Sequence, residues 1–339
     1  MLQATGAFAT LPFVIYLLWL LPSTSSFVPA HCAMVTDVRN VLESFADASV
    51  GYLPDLDLAG RGISSLSSQA FIRFENVSRI DLRKNQIQFI SPGAFHGLSA
   101  LTTLRLSHNH IASVEKGMLL GMPLLDSLFL DHNRIEVIGE ASFDGLSSLH
   151  SLWLTDNLIG SIKKGMFDGL SSLDMLWLYS NRIESIDNRA FSGMSSLSEL
   201  WLMLNHIVSI KKGMFDGMPS LTNLYCAALL RWLQNNRIES IDKGAFAGMA
   251  SLFKLSLSYN HIASVEIGMF CGMSSLAELW LDCNRIRTIE GGAFAGLTSL
   301  KKLVLAGNPV CHPFATMPSG SLLAFGRMWG LPGSAAIEC

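Results

Sequence analysis

Apolar and polar residues alternate along this chain in short bursts that return at a fixed interval. The segment Leu101 to Ile111 reads LTTLRLSHNHI, with Leu101, Leu104, Leu106 and Ile111 apolar and Asn109 fixed near the end. The same frame recurs around Asn85, Asn109, Asn133, Asn157, Asn181 and Asn205, each 24 residues from the last. Asn236 follows after 31 residues, and Asn260, Asn284 and Asn308 then resume the 24-residue step. A degenerate first copy, LPDLDLAGRGI, carries Arg61 in place of the Asn. A longer period lies on top. Asn133, Asn181, Asn236 and Asn284 are each followed by Arg-Ile, whereas Asn109, Asn157, Asn205 and Asn260 are followed by His-Ile or Leu-Ile. Self-similarity at such a period means that each copy is one structural unit, unable to bury its apolar face alone and stabilised by stacking on its neighbours.

The alternation L-x-L predicts one short strand per copy, with its Leu side chains on the inner face. Leu104, Leu128, Leu152, Leu176, Leu200, Leu224, Leu255 and Leu279 then stack as one apolar column, and Ile111, Ile135, Ile159, Ile183, Ile207, Ile238, Ile262 and Ile286 as another. Phe95, Phe143, Phe167, Phe191, Phe215, Phe246, Phe270 and Phe294 predict an aromatic spine on the far wall, with Leu119 substituting once. The Asn column falls where the chain leaves the strand. Its amide both donates and accepts, which suits a buried turn that would otherwise leave peptide groups unpaired. Parallel strands stand about 4.8 Å apart. Wider loops and short helical turns on the far wall need more room, so the stack is expected to curve with the sheet inside.

The frame L-x-x-L-x-L-x-x-N-x-I-x-x-I-x-x-G-x-F-x-G-L resembles the 24-residue repeat of extracellular leucine-rich-repeat proteins. The resemblance covers roughly Leu53 to Pro309. It implies an α/β fold, a right-handed solenoid or horseshoe of about eleven repeats with a parallel β-sheet on the concave face. It also implies a binding role, although the matched residues are scaffold and do not specify a ligand. Members of that group close both ends with cysteine-rich caps. Here residues 31–52 offer only Cys32, and residues 309–339 begin with Cys311 but lack a close cysteine pair, so both caps are atypical. Cys311 with Cys339 is the one pair expected to form a disulfide. Cys271 and Cys283 fall inside repeats and read as free thiols.

Residues 1–30 read as an export signal: Leu11 to Leu21 is an apolar run of the right length, followed by small residues, although no Lys or Arg precedes it. Counted from Ala4, the stretch also suffices for an uncleaved anchor. The expected location is secreted or extracellular, or the cell surface if the segment is retained. Asn76-Val77-Ser78 is a glycosylation sequon. Residues 53–308 form the repeat array. The 31-residue step becomes regular if Tyr225 to Arg231 is removed, which reads as a seven-residue insertion within a strand. Two accounts stand: a bulge reaching over the concave face, or residues foreign to the repeat, such as a retained intron fragment.

The outward positions carry the candidate site. Between the second and third Leu the chain presents Asp81, Arg105, Phe129, Trp153, Trp177, Trp201, Trp232 if the insertion bulges out ahead of it, Ser256, Trp280 and Val304. Five of the seven tryptophans fall in this one column, so their placement follows the repeat and not the bulk composition. Tyr179, Met203 and Tyr259 lie beside it. Such a stripe is expected to bind a protein ligand or to mediate self-association, since Trp and Tyr are favoured interface anchors.

Charge refines that expectation. A net charge of −3 gives no pull toward nucleic acid or anionic lipid. Along the face, Arg79, Arg83, Lys84 and Arg105 are basic, Asp126, Asp131, Asp156, Asp174 and Glu199 acidic, and Lys301 and Lys302 basic again. This mixture suits a protein partner better than a polyanion. Membrane contact is expected only through a retained N-terminal segment or a longer receptor of which this chain is a part. A structural matrix role is the remaining alternative. No nucleophile elbow, phosphate loop or zinc signature is present, so no enzyme activity or cofactor is expected. His108 and His132, with Asp131 and Asp156 near, read as solvent-exposed residues brought close by the repeat, and no metal is assigned to them.

Overall fold

In the computed structural model the described residues are 36–43, 54–226, 236–316 and 321–339. The export segment, the greater part of the N-terminal cap and Trp232 lie outside them. The chain divides into two units, Met1–Met34 and Val35–Cys339, and every described residue belongs to the second.

Each repeat contributes one three-residue strand to a single twelve-stranded sheet. The sheet runs in sequence order from Asp55–Asp57 to Lys302–Val304, and the tail strand Ala336–Glu338 is added at the end. All the pairings are parallel and in register, so that Leu104 faces Leu128, Leu152 faces Leu176, and Leu200 faces Leu224. In strands such as Thr103–Arg105, Met175–Trp177 and Glu278–Trp280 the central Leu is buried between two half-buried residues, as the alternation predicts. Both predicted apolar columns are buried end to end.

The far wall is built from turns and from two-residue parallel strand pairs such as Ser161–Ile162 with Ser185–Ile186. Among the described residues helices occur only at the two ends: Val38–Leu42, the 3-10 segment Pro309–Thr316 and Ser321–Met328. The Phe spine stacks behind the sheet with ring centroids 5.8–6.3 Å apart, as for Phe167 on Phe191 at 6.0 Å and 6°. Phe71 extends it beyond the predicted start, lying 5.8 Å from Phe95. In some coils the glycine of F-x-G is required by closeness as well as by conformation. Gly217 has φ +101°, and a Cβ there would stand 2.9 Å from the Ser192 Cα of the preceding coil.

The Asn column does more than close its own turn. Asn157 Nδ2 donates to Leu154 O in its own coil and to Leu130 O in the preceding one, while its Oδ1 accepts from Ile135 N. The same three-way bond recurs through the array, and all ten Asn side chains are buried. The residue just before the Asn takes a left-handed conformation, as at His108, His132, Asp156 and Tyr259.

The irregular step is absorbed without disturbing either neighbour. Leu224 pairs with both Leu200 and Leu255, and Phe215 stacks on Phe246 at 6.0 Å and 8°. Asn236 Oδ1 still receives Ile207 N at 3.0 Å. The strand is Asn223–Tyr225, and Cys226 fills the place of the third Leu. This corrects the expected position of the insertion. Tyr225 belongs to the strand, and the extra length falls after Cys226, where nine residues precede Asn236 instead of two. The chain keeps Leu224-Tyr225 in register because the L-x-x-L spacing from the buried Leu221 is intact, and a small apolar thiol satisfies the core at the next inward position.

Candidate functional site: the outward face of the sheet

Register fixes the outward column. Because the strands pair residue for residue, Phe129, Trp153, Trp177, Trp201 and Tyr225 stand on successive strands at the same height. Strand spacing of about 4.8 Å falls within the centroid separation of paired aromatic rings, so neighbouring rings can lie face to face. The Phe129 and Trp153 centroids are 4.1 Å apart at 11°, and those of Trp153 and Trp177 are 4.2 Å apart at 10°. Trp201 and Tyr225 form a second contact at 4.3 Å, tilted by 34°. All five rings are half-buried, in one stack from Phe129 to Trp177 and a second of Trp201 and Tyr225.

Cations fill the gap at Ser256 and lie at the two ends of this ribbon. The Arg105 guanidinium lies 5.6 Å from the Phe129 centroid. Ser256 interrupts the aromatic column, and the Lys254 ammonium fills the gap, 5.8 Å from the Tyr225 ring and 5.1 Å from the Trp280 ring. Lys302 covers the other side of Trp280 at 4.8 Å. Acceptors orient two of the indoles: Trp201 Nε1 donates to Glu199 Oε2 and Trp280 Nε1 to Glu278 Oε2, each at 3.1 Å.

Charges are paired with lysine or arginine at the two ends and with other groups in the middle. At the N-terminal end Asp81 bonds to Arg83 and lies 3.7 Å from Arg105. Burial raises the Asp81 pKa, but hydrogen bonds from Arg83 and the charges of Arg83 and Arg105 outweigh it and hold the carboxyl below its ordinary range. The Arg83 pKa is raised, chiefly by its hydrogen bond to Asp81. At the other end Lys254 meets Glu278 at 3.6 Å and Lys302 meets Glu338 at 2.9 Å. Between them, Asp126 is held by Ser127 and His150, Asp174 by Ser198, and Glu199 by Trp201 and Asn223. The Tyr225 pKa is raised by burial and by the carboxylates of Glu199 and Glu278.

Phe129, Trp153, Trp177, Trp201 and Trp280 therefore share the column that the spacing assigns them. Tyr179 stands one inward residue beyond it, after the third Leu, and Tyr259 sits a further residue on, in the left-handed turn before Asn260, so the two tyrosines belong to different columns. Tyr225 takes the place beside Trp201 that was expected for Trp232, which lies outside the described residues. Two participants were missed by the sequence reading. Tyr225 was hidden by the choice of insertion point. Lys254 lies two residues from the column, and only the absence of a ring at Ser256 hints that a neighbour must fill in.

Elsewhere, Asn76 is exposed in the turn before Arg79–Asp81. Cys311 and Cys339 form a disulfide that ties the tail to the last repeat, with Cα atoms 5.3 Å apart. Cys271 and Cys283 are exposed free thiols, and Cys226 is buried.

The sequence matches the profile of the leucine rich repeat over residues 52–111, 99–159, 123–183, 176–227, 232–286 and 254–310. No curated protein matches it. Among solved structures, a chain of the octameric complex of Latrophilin 3, Unc5D and FLRT2 is similar, with a TM-score of 0.65 and 23% identity over 84% of this chain and 82% of that one. A chain of the TLR13–ssRNA13 complex gives 0.64 and 23% identity, over 74% of this chain but 39% of that one. A leucine-rich-repeat protein of Leptospira interrogans gives 0.52 and 24%, over 82% and 70%. The present chain thus spans well under half of the TLR13 chain. At these identities the likeness is one of fold.

Proposed function

Because the chain belongs to the leucine-rich-repeat family, we propose that it is a non-catalytic, extracellular recognition protein that holds a protein ligand against the outward face of its sheet, the concave wall of the expected curve. The observation that carries this reading is the ribbon of half-buried rings from Phe129 to Trp280. Stacking covers part of the rings but leaves them half exposed across several strands. A contiguous apolar surface of that length marks an interaction site on a soluble protein. A partner would desolvate the rings without having to order them, because they already hold one another in place.

The charge pattern favours a protein over a polyanion. Asp126, Asp174 and Glu199 flank the central rings, and histidine, serine, asparagine and indole groups hold them in place of lysine or arginine. TLR13 was solved with single-stranded RNA; on this chain phosphates laid along the same path would meet those carboxylates. FLRT2 occurs in a complex with other proteins. Export is supported by the apolar run Leu11 to Leu21, the Cys311–Cys339 disulfide and the exposed sequon at Asn76. Among the described residues no helix is long and apolar enough to cross a membrane.

A photoreactive side chain at Met175, beside Trp177 on the outward face, tests the reading against one at Lys212 on the turn wall. The proposal expects protein adducts from position 175 and none from 212. Adducts from 212 alone, or nucleic acid recovered from 175, would overturn it. Adducts between two copies of the chain would turn the reading toward a self-assembling matrix component.

A further inference from the structure

One cluster outside the aromatic ribbon brings together groups that bind metals. His108 and His132 occupy the same turn position in adjacent coils, and their rings lie 4.3 Å apart at 9°. Asp131 precedes His132 in the chain. One ligand atom from each of the three residues falls within 4.8 Å of the others. We infer that His108, His132 and Asp131 form a binding site for a divalent transition-metal ion of the zinc class.

The backbone beneath the three side chains is fixed before any ion arrives. Both histidines are left-handed, with φ 57° and 52°. His108 N donates to Asp131 O at 3.1 Å and His132 N to Thr155 O at 3.0 Å. Asn109 and Asn133 bind the turns from below through Leu106 O and Leu130 O. Asp131 Oδ1 accepts from Ser107 Oγ at 2.7 Å, which orients the carboxylate between the two coils. Asp156 Oδ2 stands 3.6 Å from His132 Nε2, in the place of an outer carboxylate that orients a ligating imidazole.

The donor set selects the class of ion. Two imidazoles and one carboxylate suit zinc, copper(II) or nickel, whereas calcium and magnesium prefer oxygen alone. Metal–ligand bonds of about 2.0–2.2 Å in a tetrahedron place ligand atoms about 3.3 Å apart. Closing from 4.8 Å is a matter of side-chain rotation, and both rings are exposed. Three protein ligands leave one position for water or for a group of a bound partner.

A second pair of coils provides an internal contrast. Ser258 Oγ donates to Asp282 Oδ1 as Ser107 does to Asp131, but the turn residues there are Tyr259 and Cys283. The serine–aspartate clasp is therefore part of the scaffold, and the stacked histidines are the addition that makes a site.

Zinc chloride titrated calorimetrically into the full chain tests this, in a Cys271→Ser/Cys283→Ser background so that exposed thiols do not compete. The expected result is one equivalent whose affinity falls at least tenfold in His108→Gln/His132→Gln and in Asp131→Asn, and is unchanged in His150→Gln, whose ring pairs with Asp126 instead. Cobalt(II) should give visible absorption of tetrahedral intensity that the same variants lose. Circular dichroism verifies that each variant stays folded. Undiminished affinity in the folded double variant, or no bound equivalent at millimolar zinc, would overturn the site.

Discussion

The indole rings of Trp153 and Trp177 lie 4.2 Å apart, centroid to centroid, and within 10° of parallel. Their strands are paired residue for residue, so the stack follows from placing the same residue type in the same column of a parallel sheet. Two indoles in this arrangement couple electronically. The far-ultraviolet circular dichroism of the chain should show an exciton couplet that Trp177→Ala diminishes. Losing one ring pair should lower stability by about 0.5–1.5 kcal/mol. A spectrum unchanged by the substitution would show that the rings are not in contact.

Asn157→Ala should cost far more than its size suggests. The amide pairs with Leu130 O, Leu154 O and Ile135 N, all buried between two coils. Each buried group left unpaired costs about 1–3 kcal/mol. Chemical denaturation should show a loss of several kcal/mol, and hydrogen exchange should quicken at Ile135 as well as at the mutated turn. A loss confined to position 157 would mean that the ladder does not couple adjacent coils.

Cys226 should be chemically silent in the folded chain. Burial pushes its thiol up to about 12, so the reactive thiolate is scarce at neutral pH. Alkylation followed by peptide mapping should label Cys271 and Cys283 in the native state and Cys226 only after unfolding. The linkage has a definite sign. In the unfolded chain this thiol ionises near its ordinary value of 9.0. The stability it contributes is complete below that pH and is lost as pH rises from about 9 toward about 12. Cys226→Ala should flatten the alkaline fall in stability.

Cys339→Ser should loosen one end of the array and leave the rest intact. The bond closes a sequence separation of 28, for which chain entropy predicts about 3–4 kcal/mol. Because each coil touches mainly its neighbours, the effect should stay local. Hydrogen exchange should rise at Ala336–Glu338 and in the strand it covers, Lys302–Val304, and should be unchanged at Leu152.

The periodicity was enough to read the sheet, its register and both apolar columns, because stacking forces identical positions to coincide. It was enough to place Trp153, Trp177 and Trp201 on the outward face for the same reason. It failed where the period breaks. Removing Tyr225 to Arg231 and removing the residues after Cys226 both restore the spacing, and only the pairing of Tyr225 with Trp201 separates the two. Side-chain direction was also beyond the pattern. Nothing in the order of residues shows that Lys254 reaches past Ser256 to Trp280, or that the rings of His108 and His132 lie face to face. The left-handed turn before the Asn left little trace either, since among its described occupants only Gly307 is a glycine.

The role of the outward ribbon is tested most directly by the affinity of a cross-linked and identified partner for the parent chain and for Trp153→Ala/Trp177→Ala/Trp201→Ala. Aromatic hot spots each contribute about 2 kcal/mol or more, so binding should weaken on the order of a hundredfold or beyond while the repeat array stays folded. A folded triple variant that holds the partner as tightly as the parent would contradict the assignment.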